Sequence, residues 1–258
     1  GDNATVYLGP RVENYYMHGT TPSIYKGVLK AFALGGNGAA YGASTSPGAG
    51  VKYEFDNGIA FSTNFTSQGG NGSNGMLTDQ SPTSWATQLG YTQPQYSVSA
   101  ILNVKSNDWY DEYFQSTRGF ERSYNDEGSV NVGLRAWWRP EETGTVVPSV
   151  SLGYDVSETD QDTDPNALVG FTGDETTAYF VGLNWQDAFT PDDRIGIAIG
   201  QPQKHESDPV DPFLYEVYYD YKVNDSVTVT PAIFGGTYNN GGVEEDMTGY
   251  VVNTTFKF

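Results

Sequence analysis

The sequence predicts an all-β fold, an antiparallel up-and-down transmembrane β-barrel with about 12 strands in this chain. Three observations predict it. Apolar residues recur at every second position through stretch after stretch, and the residues between them are polar or charged. The connections alternate, with turns of roughly two to six residues at one end and loops of roughly ten to thirty at the other, the asymmetry of barrels that cross an outer membrane. No run approaches the roughly 18 apolar residues of a spanning helix, so any passage through lipid falls to strands.

The strands are read in order. After the turn Gly1-Asp2-Asn3, a strand is expected from about Thr5 to Met17, with Val6, Leu8, Pro10 and Val12 on one face. Proline is tolerated there at an edge or a bulge. From His18 to about Gly48 the alternation lapses, in a connection without a single acidic residue. Within it Ile24, Val28 and Phe32 have helical spacing, which predicts a short helix over 22–32, weakened by Gly27.

Val51, Tyr53 and Phe55 then alternate up to the hairpin turn Asp56-Asn57-Gly58. Ile59, Phe61, Thr63 and Phe65 return. A Gly-Asn loop runs from Ser67 to Thr83, and the next hairpin sets Trp85 to Tyr91 against Tyr96 to Val104. An aromatic and charged loop from Ser106 to Gly128 precedes the clearest strand, in which Val130, Val132, Leu134, Ala136 and Trp138 share one face. Glu141 to Gly144 should connect it to a strand from Val146 to Val156. After an acidic loop come Tyr179 to Trp185, Ile195 to Ile199, a loop from Pro202 to Pro212, Tyr215 to Val223, and Val227 to Ile233. A Gly-Glu loop leads into the final strand, in which Tyr250, Val252, Phe256 and Phe258 share a face.

The composition of the 258 residues bounds the function. Residues 1–258 suit one large all-β domain. Thirty-one glycines, 19 tyrosines, 13 phenylalanines and no cysteine describe a turn-rich β chain with neither disulfides nor a thiolate metal site. Thirteen basic residues against 32 acidic ones give −19, which argues against nucleic acid as a partner. The only histidines, His18 and His205, fall in loops without a Gly-x-Ser-x-Gly, so no enzyme and no catalytic residue is expected. Gly70-x-Gly72-x-x-Gly75 has the dinucleotide spacing but no βαβ unit around it, and no cofactor is expected. Asp160-x-Asp162-x-Asp164 begins like a calcium loop, yet Pro165 and Phe171 stand where glycine and glutamate belong, so no specific metal site is expected.

The faces opposite the apolar ones carry Arg11, Lys52, Glu54, Lys105, Arg135, Arg139, Asp155, Arg194, Glu216, Asp220 and Lys222. Trp138, Trp185, Tyr215, Tyr221 and Tyr250 are expected near strand ends as an interfacial girdle. Trp137, Phe180, Tyr218 and Phe234 should point inward, under a folded-in loop or as a sugar-stacking track. Glu158, Asp160, Asp162, Asp164, Asp174 and Glu175, with Glu244, Glu245 and Asp246, make an acidic mouth.

Gly1 to Tyr7 leading into Gly9-Pro10-Arg11, the run Ile195 to Pro202, and Val227 to Phe234 before a terminal Thr-Phe-Lys-Phe resemble the cyanobacterial outer-membrane porins, relatives of carbohydrate-selective porins. The resemblance implies a bacterial outer-membrane protein, a homotrimer set among outer-membrane lipid and lipopolysaccharide. It makes Phe256 and Phe258 the terminal aromatics read during assembly. Family members carry an N-terminal surface-layer-homology domain and further strands ahead of the Gly-Asp-Asn turn, so a parent barrel of about sixteen strands is expected, about four of them missing here. By the same resemblance the connection 18–48 is an inward constriction loop.

The expected function is passive diffusion of inorganic ions and small hydrophilic solutes through a water-filled barrel. Lys26 and Lys30 on the loop, with Arg135, Arg139 and Arg194 on the wall, would form a basic waist that admits anions behind a mouth that gathers cations. A carbohydrate-selective channel, and a plugged barrel acting as wall anchor or receptor, are the alternatives. The transported solute, the cation or anion preference, the oligomeric state and the loop that narrows the pore stay open at this point.

Overall fold

The computed structural model describes residues 3–36, 38–41, 45–68, 81–107, 109, 126–161, 175–206, 208–240 and 242–257. Twelve strands occur among them: β1 (Ala4–Glu13), β2 (Thr45–Glu54), β3 (Ile59–Ser67), β4 (Thr83–Gln93), β5 (Tyr96–Ser106), β6 (Asp126–Trp138), β7 (Ser149–Gln161), β8 (Glu175–Gln186), β9 (Arg194–His205), β10 (Phe213–Asn224), β11 (Val227–Asn240) and β12 (Val243–Phe256). Each pairs antiparallel with the strand before it, in the order β1 to β12 without a crossover. The sheet is not closed: β1 and β12 are its two edges.

The two-residue rhythm determines which way each side chain points. In β5, Tyr96, Val98, Leu102 and Val104 are exposed on one face while Ser97, Ser99, Asn103 and Lys105 are buried on the other. The same inversion holds for the neighbours, where Trp85, Val132, Leu152, Val217 and Ile233 are exposed and Gln88, Asn131, Ser151 and Glu216 are buried. Water-soluble folds bury the opposite set. The core lies on the polar face, where the segment 14–41 packs across strands from β3 to β10.

Several boundaries differ from the alternation. β1 stops at Glu13 rather than Met17. Its register slips between Gly9 and Val12, where Pro10 and Arg11 lie opposite Pro47, so Val12 pairs with the buried Ser46. Prolines that cannot donate to the ladder gather at this bulge on an edge strand. Asn14–Met17 then forms a 3-10 turn, opened by the Asn14 side chain accepting from the Tyr15 N–H at 3.1 Å.

No helix forms over 22–32; only 3-10 turns occur, at Lys30–Gly35 and Gly38–Tyr41. The backbone N–H groups of Val28 and Leu29 go to Glu216 of β10 instead of to a helical ladder. That tertiary acceptor overrides the helical spacing of Ile24, Val28 and Phe32.

β7 begins at Ser149, so Val146 and Pro148 belong to a ten-residue connection, and Val146 is 92% exposed. β9 continues through Pro202 to His205 because a register shift between Thr177 and Tyr179 accommodates the proline. β11 and β12 run on to Asn240 and Val243, so only two residues lie between the strands where a Gly-Glu loop was expected, and Glu244, Glu245 and Asp246 pair with Asn239, Tyr238 and Thr237. The strict alternation of turn and loop lengths therefore fails there, and it fails at the other end as well, where the connections 139–148 and 187–193 have ten and seven residues. Of the expected girdle, Trp138, Trp185, Tyr215 and Tyr221 lie near strand ends, while Tyr250 sits in the middle of β12.

Candidate functional site

Between Met17 and Lys30 the segment 14–41 has no secondary structure of its own, so its backbone polar groups there need partners, and the polar wall of the sheet supplies several of them. His18 Nδ1 lies 3.0 Å from Ser62 Oγ on β3. Gln88 on β4 accepts from the Thr20 N–H at 2.9 Å and donates back to the Thr20 carbonyl at 3.0 Å. Trp137 Nε1 on β6 donates to the Thr21 carbonyl, and Ser151 Oγ on β7 accepts from the Ile24 and Tyr25 N–H groups.

On β10 the fully buried Glu216 accepts from the Tyr25 hydroxyl at 2.8 Å, the Leu29 N–H at 2.7 Å and the Val28 N–H at 3.1 Å. Donors converging on one carboxylate offset much of the cost of burying its charge.

Two apolar clusters complete the contact. Tyr25 and Phe32 pack with Phe180, Ala198, Leu214, Tyr218 and Ala232, and Tyr41 and Ala40 pack with Ala86 and Ile101. The sheet comes within backbone contact where it lacks side chains. A Cβ on Gly153 would stand 1.6 Å from the Gly35 carbonyl oxygen, and one on Gly182 would stand 2.7 Å from the Tyr25 ring.

Burial governs titration in the segment. It pushes His18 down to about 4. It pushes the Tyr25 phenol far above its usual range, reinforced by the Glu216 charge. Burial also raises the Tyr41 phenol, against the opposing pull of Arg135.

The expected waist residues separate into two groups. Arg135 is buried: it pairs with Asp155 at 2.8 Å, donates to the Leu34 carbonyl at 2.8 Å, and lies over the Tyr41 ring. Lys26 and Lys30 are exposed on the segment. Arg139 and Arg194 lie at the short-connection end of the sheet, where they line a cleft of about 170 Å³ together with Ile24, Asn184, Gln186 and Glu142.

Of the other expected lining residues, Lys52 pairs with Glu54 at 2.8 Å, Lys105 is buried, and Arg11 is exposed in the bulge. Asp220 accepts from the Thr230 hydroxyl, and Lys222 pairs with Asp192 at 2.6 Å. Glu158, Glu175, Glu244, Glu245 and Asp246 are exposed at the long-connection end, and the backbone of Asp160 lies in the last two residues of β7. Asp162, Asp164, Asp174 and Phe258, and the motif Gly70 to Gly75, lie outside the described residues, and Phe256 is exposed on β12.

Trp137, Phe180 and Tyr218 are buried inward, with Tyr25 and Phe32 over the last two. Sequence reasoning missed Tyr25, Gln88, Ser151 and Tyr41. The available signal was glycine on polar-face positions, as at Gly153 and Gly182, where the wall leaves room for another chain segment.

Comparison of the sequence with protein-family models matches none, and comparison with curated proteins finds no significant match.

Proposed function

We propose that this protein is an outer-membrane diffusion porin of the cyanobacterial type its sequence resembles, passing inorganic ions and small hydrophilic solutes. The inverted polarity of the sheet carries this reading. An apolar face exposed from β2 to β12, with buried Ser, Asn, Gln and charged residues behind it, suits lipid outside and water inside. In hydrocarbon the free N–H and C=O groups of β1 and β12 need partners. The working barrel therefore pairs these edges, with further strands in a parent barrel of about sixteen.

Transport on this reading has no covalent step. The segment 14–41 is the constriction, held across the lumen by Gln88, Ser151 and Glu216. Arg135 is paired with Asp155, and on this reading Lys26 and Lys30, exposed on the segment, act at the waist behind the acidic mouth. Homotrimer formation and contact with lipopolysaccharide follow from the resemblance. The carbohydrate-selective alternative is less favoured, because the inward rings Phe180 and Tyr218 are covered.

Planar-bilayer recording of the full-length protein tests the proposal. Ohmic conductance is expected, with an anion preference in a salt gradient that Lys26→Gln with Lys30→Gln reduces. The extent to which the segment fills the polar face favours one second reading, a plugged wall anchor or receptor, and absence of any conductance would establish it over the porin.

A further inference from the structure

The cleft at the short-connection end is built rather than incidental. Its wall is the connection 139–148, tied to the end of β8 by the Gly144 N–H donating to the Gln186 carbonyl at 2.9 Å and Trp185 Nε1 donating to the Val146 carbonyl at 3.0 Å. Its inner side is Ile24 of the inward segment.

Each arginine in the cleft is held by its neighbours. Arg139 donates through Nε to the Pro94 carbonyl at 2.7 Å and lies over the Trp137 ring. Arg194 donates through Nε and Nη2 to Gln186 Oε1, at 3.2 and 2.9 Å. Neither forms an ion pair among the described residues, in a chain with 32 carboxylates and only 13 basic side chains. Glu142 lines the same cleft without pairing with either of them.

We propose that this cleft binds a small oxyanion, such as inorganic phosphate or a short carboxylate, between Arg139 and Arg194. A guanidinium anchored through Nε keeps N–H groups on its outer nitrogens for an oxygen pair, the geometry in which arginine exceeds lysine. A cleft of about 170 Å³ has room for an anion of that size. Glu142 sets an opposing field, so affinity is moderate and the anion can leave. The inference goes beyond the diffusion reading and does not depend on whether a pore conducts.

Isothermal titration of the detergent-solubilised full-length protein with inorganic phosphate, at constant ionic strength in chloride, tests it. Saturable binding is expected, weakened roughly tenfold or more by Arg139→Gln or Arg194→Gln, and strengthened several-fold by Glu142→Gln. The Glu142 variant changes only an exposed connection, and a merely structural role for the cleft would not make it bind more tightly. No saturable binding to the wild-type protein, or binding indifferent to all three substitutions, overturns the proposal. Because the readout is equilibrium binding rather than current, its failure is distinct from failure of the diffusion reading.

Discussion

The Tyr25 hydroxyl donates to the Glu216 carboxylate at 2.8 Å, across 191 residues of sequence and inside the polar face of the sheet. With the Val28 and Leu29 N–H groups, this bond pins the middle of the inward segment to β10. Replacing Glu216 by leucine removes the acceptor of one buried and two part-buried donors, a cost of about 3 kcal/mol. Glu216→Leu should lower the melting temperature in detergent well below that of Tyr25→Phe, which removes one donor and leaves the rest satisfied. Equal shifts in the two variants would show that the carboxylate is not the anchor.

Gly153 tests how closely the segment lies on the wall. A methyl group there meets the Gly35 carbonyl, a backbone atom that cannot swing aside. Gly153→Ala should cost about 1–3 kcal/mol by overpacking and lift the segment while leaving the strands paired. Trypsin should then cut at Lys26 and Lys30 roughly tenfold faster or more, with far-UV circular dichroism unchanged.

The buried pair Arg135 and Asp155 calls for a double-mutant cycle. Arg135→Met alone strips a buried carboxylate of its cation and should destabilise by about 3–5 kcal/mol. Adding Asp155→Leu should recover most of that loss, since an apolar pair avoids the desolvation penalty. Additive effects of the two substitutions would contradict the coupling.

His18 makes stability pH-dependent. Its neutral ring donates from Nδ1 to Ser62 Oγ and accepts at Nε2 from Asn64 Nδ2, so protonation sets two donors against each other. The folded value is about 4 against 6.5 for the free side chain. Between those values the unfolded chain binds more protons than the folded one. The contribution of His18, roughly 3 kcal/mol, is therefore complete above about pH 6.5 and lost as the pH falls towards 4. Melting temperatures measured from pH 7.5 to 4.5 should fall less steeply in His18→Gln than in the wild-type protein.

The outward residues test the membrane reading. Val132 is exposed near the middle of β6, and Val146 is exposed in a connection. If β6 crosses lipid, Val132→Arg should cost about 2–4 kcal/mol of folding free energy in vesicles, and Val146→Arg close to nothing. Equal tolerance at the two positions would remove the case for a lipid-facing sheet.

Strand identity and facing were readable from residues two apart. Val130 to Trp138 and Tyr96 to Val104 point as their alternation indicated, because pleating is a local property of an extended chain. Where local rules misled, a distant group had intervened. Two prolines face each other across the β1–β2 pair and shift its register, and Glu216 captures the N–H groups that a helix over 22–32 would have used. The cleft mixes both kinds of information. Arg139 and Arg194 stood out as wall cations, but nothing in their spacing placed them beside Ile24 and away from Arg135.

Legible without any fold were about twelve antiparallel strands, the facing of most side chains along them away from the β1 bulge, and a long connection with lysines and no acids. Alternation, turn chemistry and composition act within a few residues, so these features survive without any knowledge of partners. Three outcomes needed the assembled sheet: the connection lies on the polar face, Asp155 pairs with Arg135, and the last hairpin extends its strands through the acidic triplet. Those outcomes depend on hydrogen bonds and ion pairs between residues up to 191 apart, whose energies exist only once the sheet has brought the residues together.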